Sequence, residues 1–441
     1  MRSRSRPRPR RACWIRETPG LAARRAALRL LDAVRRGAPF DAARDTALAG
    51  VPERDRRLAH ALAAGVLRHQ RPLDAALDLE RADPRLHDLL RLGAYQLRYL
   101  DRVPPYASVA TSVSLARERA GDDAARFVNH LLRRISGSRL PAPGSQTHPA
   151  WLLERWRAHF GREDAERLVA WNDTPPPLTL QPARWDVDTL RARLHEAGIA
   201  TEDAPFGAGI RLVRGASGSR PPAPGSRLPG YIEGGFIVQD AGAALVCRFA
   251  ALRPDALVYD ACAAPGGKAV TLEVLGARVI AGDHRRDRLP RLVDTVRRAG
   301  RAVRVVAADL AAAPFAGGRF DAVVVDAPCT ATGTFARHPE ARSRVTARAI
   351  TALAVRQRGL LDAAAPLVRP GGVLVYATCS LEPEENAEQV DAFLERHPEF
   401  ARAPVPGAVP APLLTAAGDF LAVPPRHGTD GAYAARLGRR G

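Results

Sequence analysis

A chain of 441 residues is long enough for two or three domains and a sizeable core, and 46% hydrophobic content is ordinary for a globular protein. The net charge of +19 points to a polyanionic partner, most simply nucleic acid, although enrichment in Arg, Ala, Pro and Gly also suits a GC-rich genome. Five scattered cysteines without a Cys-x-x-Cys pair argue against a disulfide framework or a zinc site, and no apolar run of about 18 residues is present. The expectation is therefore a cytoplasmic protein with reduced thiols, no metal and no membrane partner.

Residues 1–19 are arginine-rich without an apolar stretch and read as a basic disordered tail. Residues 20–140 read as an all-helical domain. Apolar positions recur at helical spacing over Leu21–Val34, Arg57–Leu67, Leu86–Leu100, Ser108–Arg119 and Ala124–Ile135. The pair Pro104-Pro105 separates two of these helices, with Ser108 expected to cap the second. Arginines 54, 56, 57, 68 and 71 are expected on outer faces. Residues 141–232 read as linker plus a small α+β segment. Two related Pro/Gly/Ser phrases, Ser136–Ser145 and Ser217–Ser226, mark a domain linker and a surface loop.

From 233 to 441 strands and helices alternate, which predicts a mostly parallel, doubly wound, Rossmann-like sheet. The strands are Ala256–Asp260, Arg278–Asp283, Ala302–Asp309, Phe320–Asp326 and Gly372–Thr378, with helices over 268–276, 286–299, 345–368 and 383–396. Four strands end in Asp260, Asp283, Asp309 and Asp326. Ligands bind at the carboxyl ends of parallel strands, so these acids line one crevice.

The first of these strands runs into Ala261-Cys-Ala-Ala-Pro-Gly-Gly-Lys268, a small-residue turn that opens a helix. Free backbone N–H groups at such a turn suit a polar or anionic ligand. A dinucleotide fingerprint is absent, and a phosphate-binding loop would need Gly at Cys262 and Ser or Thr at Ala269. The turn (Cys262, Ala263, Ala264, Pro265, Gly266, Gly267 and Lys268) therefore suits a nucleoside-type cofactor. Lys268 is the only lysine in the chain, which suggests a local chemical demand. Asp283, 16 residues after Gly267, stands where a carboxylate accepts from ribose hydroxyls, and Asp309 where one accepts from an adenine amine. The alternative for both is a helix N-cap.

Two further strands lead into Asp326-Ala-Pro-Cys329 and Ala377-Thr-Cys379-Ser, so two cysteines emerge on one face beside the cofactor turn. A pyrimidine C5 becomes nucleophilic once a thiolate has added at C6. The adduct must then lose its C5 proton and eliminate the enzyme. A carboxylate near N3 assists as charge builds on the ring. Thiolate, acid and second base match Cys379, Asp326 and Cys329.

These motifs, with Asp326–Gly333, Arg337-His-Pro339 and Ala377–Asn386, resemble those of the RNA cytosine-C5 methyltransferases. The front half is similar to a NusB-like domain through Ala61–Arg68, Arg91–Leu100 and Phe127–Arg133. His148–Leu152 and Asn172–Pro177 resemble the intervening segment of the RsmB/Sun family, and the resemblance spans about residues 20–437. The chain's three asparagines, Asn129, Asn172 and Asn386, all fall within matching motifs.

The resemblance implies an all-α NusB-like domain, a small α+β segment and a Rossmann-like (class I) methyltransferase. It implies S-adenosylmethionine over Cys262–Lys268, with Asp283 at the ribose, Asp309 near the adenine and Asp326 bordering cofactor and base. The nucleophile would be Cys379, with Cys329 assisting release. DNA cytosine methyltransferases use a Pro-Cys cysteine instead, which makes Cys329 the rival nucleophile. The implied partner is 16S rRNA or a partly assembled small subunit, met by a monomer. The alternatives are a cytosine of tRNA or other rRNA, and a noncatalytic RNA-binding assembly factor. The chain departs from the family pattern at Leu180-Gln-Pro-Ala183, at Ala269 and at Asp430-Gly-Ala-Tyr433.

Overall fold

The computed structural model describes residues 20–101, 103–136, 147–213 and 225–441. The expected basic tail and most of both Pro/Gly/Ser phrases lie outside the described residues. The chain divides into two compact units, 1–147 and 148–441.

The first unit is helical: α1 (Leu21–Arg35), α2 (Phe40–Ala47), α3 (Glu53–Arg68), α4 (Gln70–Leu77), α5 (His87–Tyr99) and α6 (Pro105–Ser136). Leu30 and Leu31 of α1, Leu62 and Val66 of α3, Leu90 of α5 and Leu132 of α6 are all fully buried in one core. The periodicity that predicted these helices is the stripe that packs. The α6 span breaks at Ala120 and Gly121, neither of which has helical dihedrals (Gly121 φ +84°), so it is two helices meeting at a kink, in line with the two predicted segments. Ser108 does not cap it. The helix begins at Pro105, whose fixed φ suits a first helical position, and Ser108 sits buried inside the first turn. Arg68 is likewise not on an outer face but buried at the end of α3.

The second unit opens with α7 (Ala150–Phe160) and α8 (Arg162–Asp173). A small sheet follows, built from β1 (Thr179–Pro182), β2 (Thr201–Asp203), β3 (Ile210–Leu212) and β4 (Phe236–Val238), with α9 (Val187–Glu196) after β1. Its strand order is β2-β3-β1-β4, antiparallel throughout. Buried Leu180, Leu190, Ile210 and Phe236 form its core.

The large sheet comprises β5 (Leu257–Asp260), β6 (Arg278–Asp283), β7 (Arg304–Ala307), β8 (Phe320–Asp326), β9 (Val368–Thr378), β10 (Phe400–Arg402), β11 (Phe420–Ala422) and β12 (Ala432–Arg439). Helices α10 (Ala241–Phe249), α11 (Gly267–Val274), α12 (Leu289–Ala299), α13 (Ala347–Ala364), α14 (Ala387–Arg396) and the short α15 (Pro424–His427) accompany it. The order is β10-β12-β9-β8-β5-β6-β7, with β11 pairing β12. The five predicted strands form the parallel part. β12 runs antiparallel against β9, and β10 and β11 antiparallel against β12. These three strands had no clear pattern in the sequence. No helix among the described residues is long and apolar enough to cross a membrane.

Candidate active site

Asp260, Asp283 and Asp326 are the last residues of β5, β6 and β8, and Asp309 lies two residues beyond β7. Thr378 ends β9, so Cys379 is the next residue. Reading across the sheet from β9 to β7, the row passes from the cysteines to the paired acids. The chain thus brings all the predicted site residues to the carboxyl ends of adjacent parallel strands, where backbone geometry opens a crevice.

The cradle comes first. The turn after β5 is pinned by the Ala263 N–H, which donates to the Gly282 carbonyl at 2.9 Å. Gly266 has φ +104°, and a Cβ there would come within 2.8 Å of Leu292 Cδ1. Only glycine fits that combination. Gly267 then begins α11, leaving the helix N-terminus open to an anionic or polar group.

Asp283 is buried. Its carboxylate accepts from the N–H of Arg285 at 2.8 Å and of Ala264 at 3.3 Å. Asp309 accepts from the Ala311 N–H at 3.0 Å. Both therefore do what a cap does, and a carboxylate has lone pairs left for hydroxyl or amine donors.

Lys268 leaves the first turn of α11 and donates from Nζ to Asp326 Oδ2 at 2.8 Å. This pair joins the cofactor turn to the strand that carries Cys329, and it gives the chain's single lysine its local role. Asp260 lies beneath them, fully buried, with neither oxygen in a well-formed hydrogen bond. Burial, reinforced by the Asp326 charge and opposed by Lys268, pushes its carboxyl up to about 7. An acid that is protonated when folded and ionised when unfolded, across about pH 4 to 7, makes stability fall as pH rises through that window. Asp260→Asn should remove this slope. Melting of the cofactor-free protein should then favour the variant increasingly between pH 4.5 and 7, and a constant difference between the two proteins would contradict the burial argument.

The cysteines meet. Cys329 Sγ and Cys379 Sγ lie 3.2 Å apart. Cys379 is held below the ordinary thiol range by the hydrogen bond from Cys329, helped by the charges of Lys268 and His338. Cys329 is pushed well above it by that same bond, by burial and by the charges of Cys379 and Glu385. The two shifts bias the pair toward a thiolate on Cys379 and a thiol on Cys329. Burial pushes Cys262 and Cys247 each up to about 12. Of the four described cysteines, only Cys379 has an environment that favours the thiolate.

The loops that carry the sulfurs are held by buried bonds. The Gly333 N–H donates to the Cys379 carbonyl at 3.0 Å, and the Leu381 N–H to Thr332 Oγ1 at 2.8 Å. Asn386 accepts from the Thr378 hydroxyl at 2.6 Å and donates to the Ser380 carbonyl at 2.9 Å. Gly333 and Gly431 pack backbone to backbone, so that a Cβ on Gly333 would lie 2.7 Å from Gly431 Cα. That contact ties the Asp430-Gly431 pair, which precedes the departure at Ala432 and Tyr433, to the cysteine loops. Arg337 extends the tie, donating to Asp430 Oδ2 at 2.6 Å and to Asp240 Oδ2 at 3.3 Å. From the other side, Trp156 and Arg155 of α7 donate to the buried Glu382 carboxylate, each at 3.0 Å. Gln357, in the middle of α13, also reaches into this region, and nothing in its helical surroundings singled it out in the sequence.

The departure at Leu180–Ala183 is structural in part. Gln181 donates to the Ala208 carbonyl at 2.9 Å inside the small sheet, and Ala183 is buried.

These segments match known families in order. Residues 21–137 match the NusB family, residues 148–217 a Methyltr_RsmF/B-like ferredoxin-like domain, and residues 249–438 the family described as 16S rRNA methyltransferase RsmB/F. Among curated relatives, the probable ribosomal RNA small subunit methyltransferase B of Synechocystis sp. is 33% identical, over 95% of this chain and 99% of its own length. The ribosomal RNA small subunit methyltransferase B of Xanthomonas campestris is 39% identical, over 86% of this chain and 88% of its own. Among solved structures, PH0851 superposes with a TM-score of 0.81 at 26% identity, covering 95% of this chain and 98% of its own. NSun6 from Pyrococcus horikoshii, solved with SFG, shares the fold at a TM-score of 0.57 and 21% identity, over 66% of this chain and 98% of its own.

Proposed function

This chain belongs to the 16S rRNA methyltransferase RsmB/F family, and from that premise we propose that it uses S-adenosylmethionine to form 5-methylcytosine at one cytosine of 16S rRNA through a covalent Cys379 adduct. The observation that carries this reading is the contact of the Cys329 and Cys379 sulfurs at 3.2 Å, next to the Lys268–Asp326 pair.

The residues fit the cofactor. The Gly266–Gly267 cradle leaves open backbone, Asp283 and Asp309 retain acceptor capacity, and the poorly satisfied buried acid Asp260 lies under the turn. When bound, the cofactor supplies an electrophilic methyl carbon on a sulfonium. In this reading Asp283 takes the ribose hydroxyls, Asp309 the adenine amine, and the turn from Cys262 to Lys268 carries the rest.

Cys379, already biased to the thiolate, adds to C6 of the cytosine, and Asp326 hydrogen-bonds the ring edge as charge builds there. C5 then takes the methyl group. Once Cys379 has become a thioether it no longer accepts the Cys329 proton. Cys329 is then free to exchange that proton with solvent and to take the one at C5. As C5 loses its proton, the Sγ–C6 bond breaks and Cys379 leaves as thiolate. The pair ends as it began, with one proton on two sulfurs, and the net proton released comes from C5.

Bisulfite sequencing of rRNA and tRNA from cells with and without this gene tests the reading. Loss of one cytosine mark in small-subunit rRNA is the expected result. A mark lost from tRNA instead would discard the target and keep the chemistry, and no lost mark would discard the activity.

A further inference from the structure

The two cysteine loops are joined by a buried carboxylate that is neither a cofactor ligand nor a reacting group in the reading above. Glu385 is 0% exposed and closes the short turn Pro383–Glu385 ahead of α14. Its Oε1 accepts from the Thr330 N–H at 3.0 Å, and its Oε2 from the Thr330 hydroxyl. From the other loop, the Ser380 hydroxyl donates to Oε2 at 2.5 Å. Thr330 directly follows Cys329, and Ser380 directly follows Cys379.

Gln357 supplies a third arm. Its Nε2 donates to Glu385 Oε1 and to the Pro328 carbonyl, each at 3.0 Å. Pro328 directly precedes Cys329, so the carboxylate and its amide partner hold both neighbours of that cysteine. The Tyr376 hydroxyl, on β9, donates to the Glu385 backbone carbonyl at 2.6 Å and fixes the turn to the sheet.

A carboxyl taken out of water is costly unless donors surround it. Here burial pushes the Glu385 carboxyl up, and Ser380, Thr330 and Gln357 pull against it. Four donors from two loops and a helix converge on one side chain. That is more than a single loop tie needs, and every arm ends within one residue of a catalytic sulfur or on α13.

We propose that Glu385 is the positioning residue of the cysteine pair, tying Thr330 to Ser380 and so setting the separation of the Cys329 and Cys379 sulfurs. The inference rests on the reading that this pair carries the chemistry. Other bonds also join the loops after β8 and β9, from the Gly333 N–H to the Cys379 carbonyl and from the Leu381 N–H to Thr332 Oγ1. The carboxylate grips the residue directly after each sulfur, where a shift of about 1 Å is enough to break a sulfur–sulfur hydrogen bond and to cost about a hundredfold in rate. The charge of Glu385 acts in the same direction, because it opposes ionisation of Cys329 and so favours the thiolate on Cys379.

The test compares Glu385→Ala with Glu385→Gln in the full-length protein. The amide keeps the shape, its oxygen can accept from Thr330 N–H and Gln357, and its nitrogen can donate to hydroxyls that rotate to accept. For E385A we expect kcat to fall about a hundredfold, with KM for RNA and Kd for S-adenosylmethionine each within about threefold of wild type. In the cofactor-free protein, alkylation of Cys379 by iodoacetamide at neutral pH should slow about tenfold, its pH profile moving up toward that of an ordinary thiol. E385Q should restore most of both.

Wild-type kcat and an unchanged alkylation profile in E385A would overturn the proposal. So would a rise in Kd and KM with a fall in melting temperature and no separate effect on kcat, since that marks a role in folding alone. Should E385A not fold, the double variant Thr330→Val with Ser380→Ala cuts the hydroxyl arms from the other side and is judged by the same readouts. Alkylation is read without RNA or methyl transfer. A wrong RNA target or methylated atom would therefore leave that result standing, whereas normal alkylation in E385A removes the tie and leaves the target untouched.

Discussion

Cys379→Ala is expected to abolish methyl transfer, by at least about a thousandfold, while leaving S-adenosylmethionine affinity unchanged. Removing a nucleophile leaves only what binding and electrostatics supply, which in enzymes of covalent mechanism is a small residue of the rate. No other described thiol can take over. Cys262 and Cys247 are held up at about 12 by burial, and Cys329, though released from the bond and charge of Cys379, still has burial and the Glu385 charge against its ionisation. The cradle should survive the change. It is built from Ala263 bonded to Gly282, Asp283 bonded to Ala264 and Arg285, and Lys268 bonded to Asp326, none of which passes through Cys379. The measurements are cofactor titration and turnover on 16S rRNA with the same preparation. Retained turnover would remove Cys379 from the nucleophile's role, and lost cofactor binding would show that it supports the cradle instead.

Cys329→Ala has the opposite signature. Addition through Cys379 proceeds, but the group that takes the proton at C5 is missing, so the protein should accumulate bound to RNA in a complex that survives SDS. Turnover should fall by about two to four orders of magnitude, the range typical of a lost general base. One secondary effect runs against addition. Cys329 also donates the hydrogen bond that lowers Cys379, so the variant's Cys379 should titrate higher and the adduct should form more slowly at neutral pH and faster at alkaline pH. A denaturing gel with labelled RNA across that range reads both effects at once. If the adduct appears with Cys379→Ala and not with Cys329→Ala, the nucleophile is Cys329, as in the DNA enzymes.

Much of this molecule was legible in its sequence because the signals are local. Helical periodicity marked the front unit, since the residues that repeat at that spacing, such as Leu30, Leu62 and Leu132, are the ones that must be buried. Short apolar runs ending in acids marked β5, β6 and β8, and a small-residue turn ending in two glycines marked the cradle, because backbone conformation there is set by the residues themselves. With parallel topology those two facts put Asp260, Asp283, Asp326, Cys329 and Cys379 on one edge.

The tertiary structure decided what depends on distance between remote segments. β12, with the sequence Ala-Tyr-Ala-Ala-Arg-Leu-Gly-Arg, lacks a strand's alternation because its first half is buried on both faces, Ala432 and Ala434 in one core with Phe249 of α10, Tyr433 and Ala435 in another with Phe393 of α14. The pairing of the sulfurs spans 50 residues and follows from β8 and β9 being adjacent, which no local pattern encodes. Gln357 looked like any polar residue on a helix until α13 packed its side chain against the cysteine loops, and Glu385 looked like one acid among several in its turn. Residue types and turns come from neighbours in the chain; which thiol keeps its proton comes from neighbours in space, through burial and charge that only the packed fold assembles.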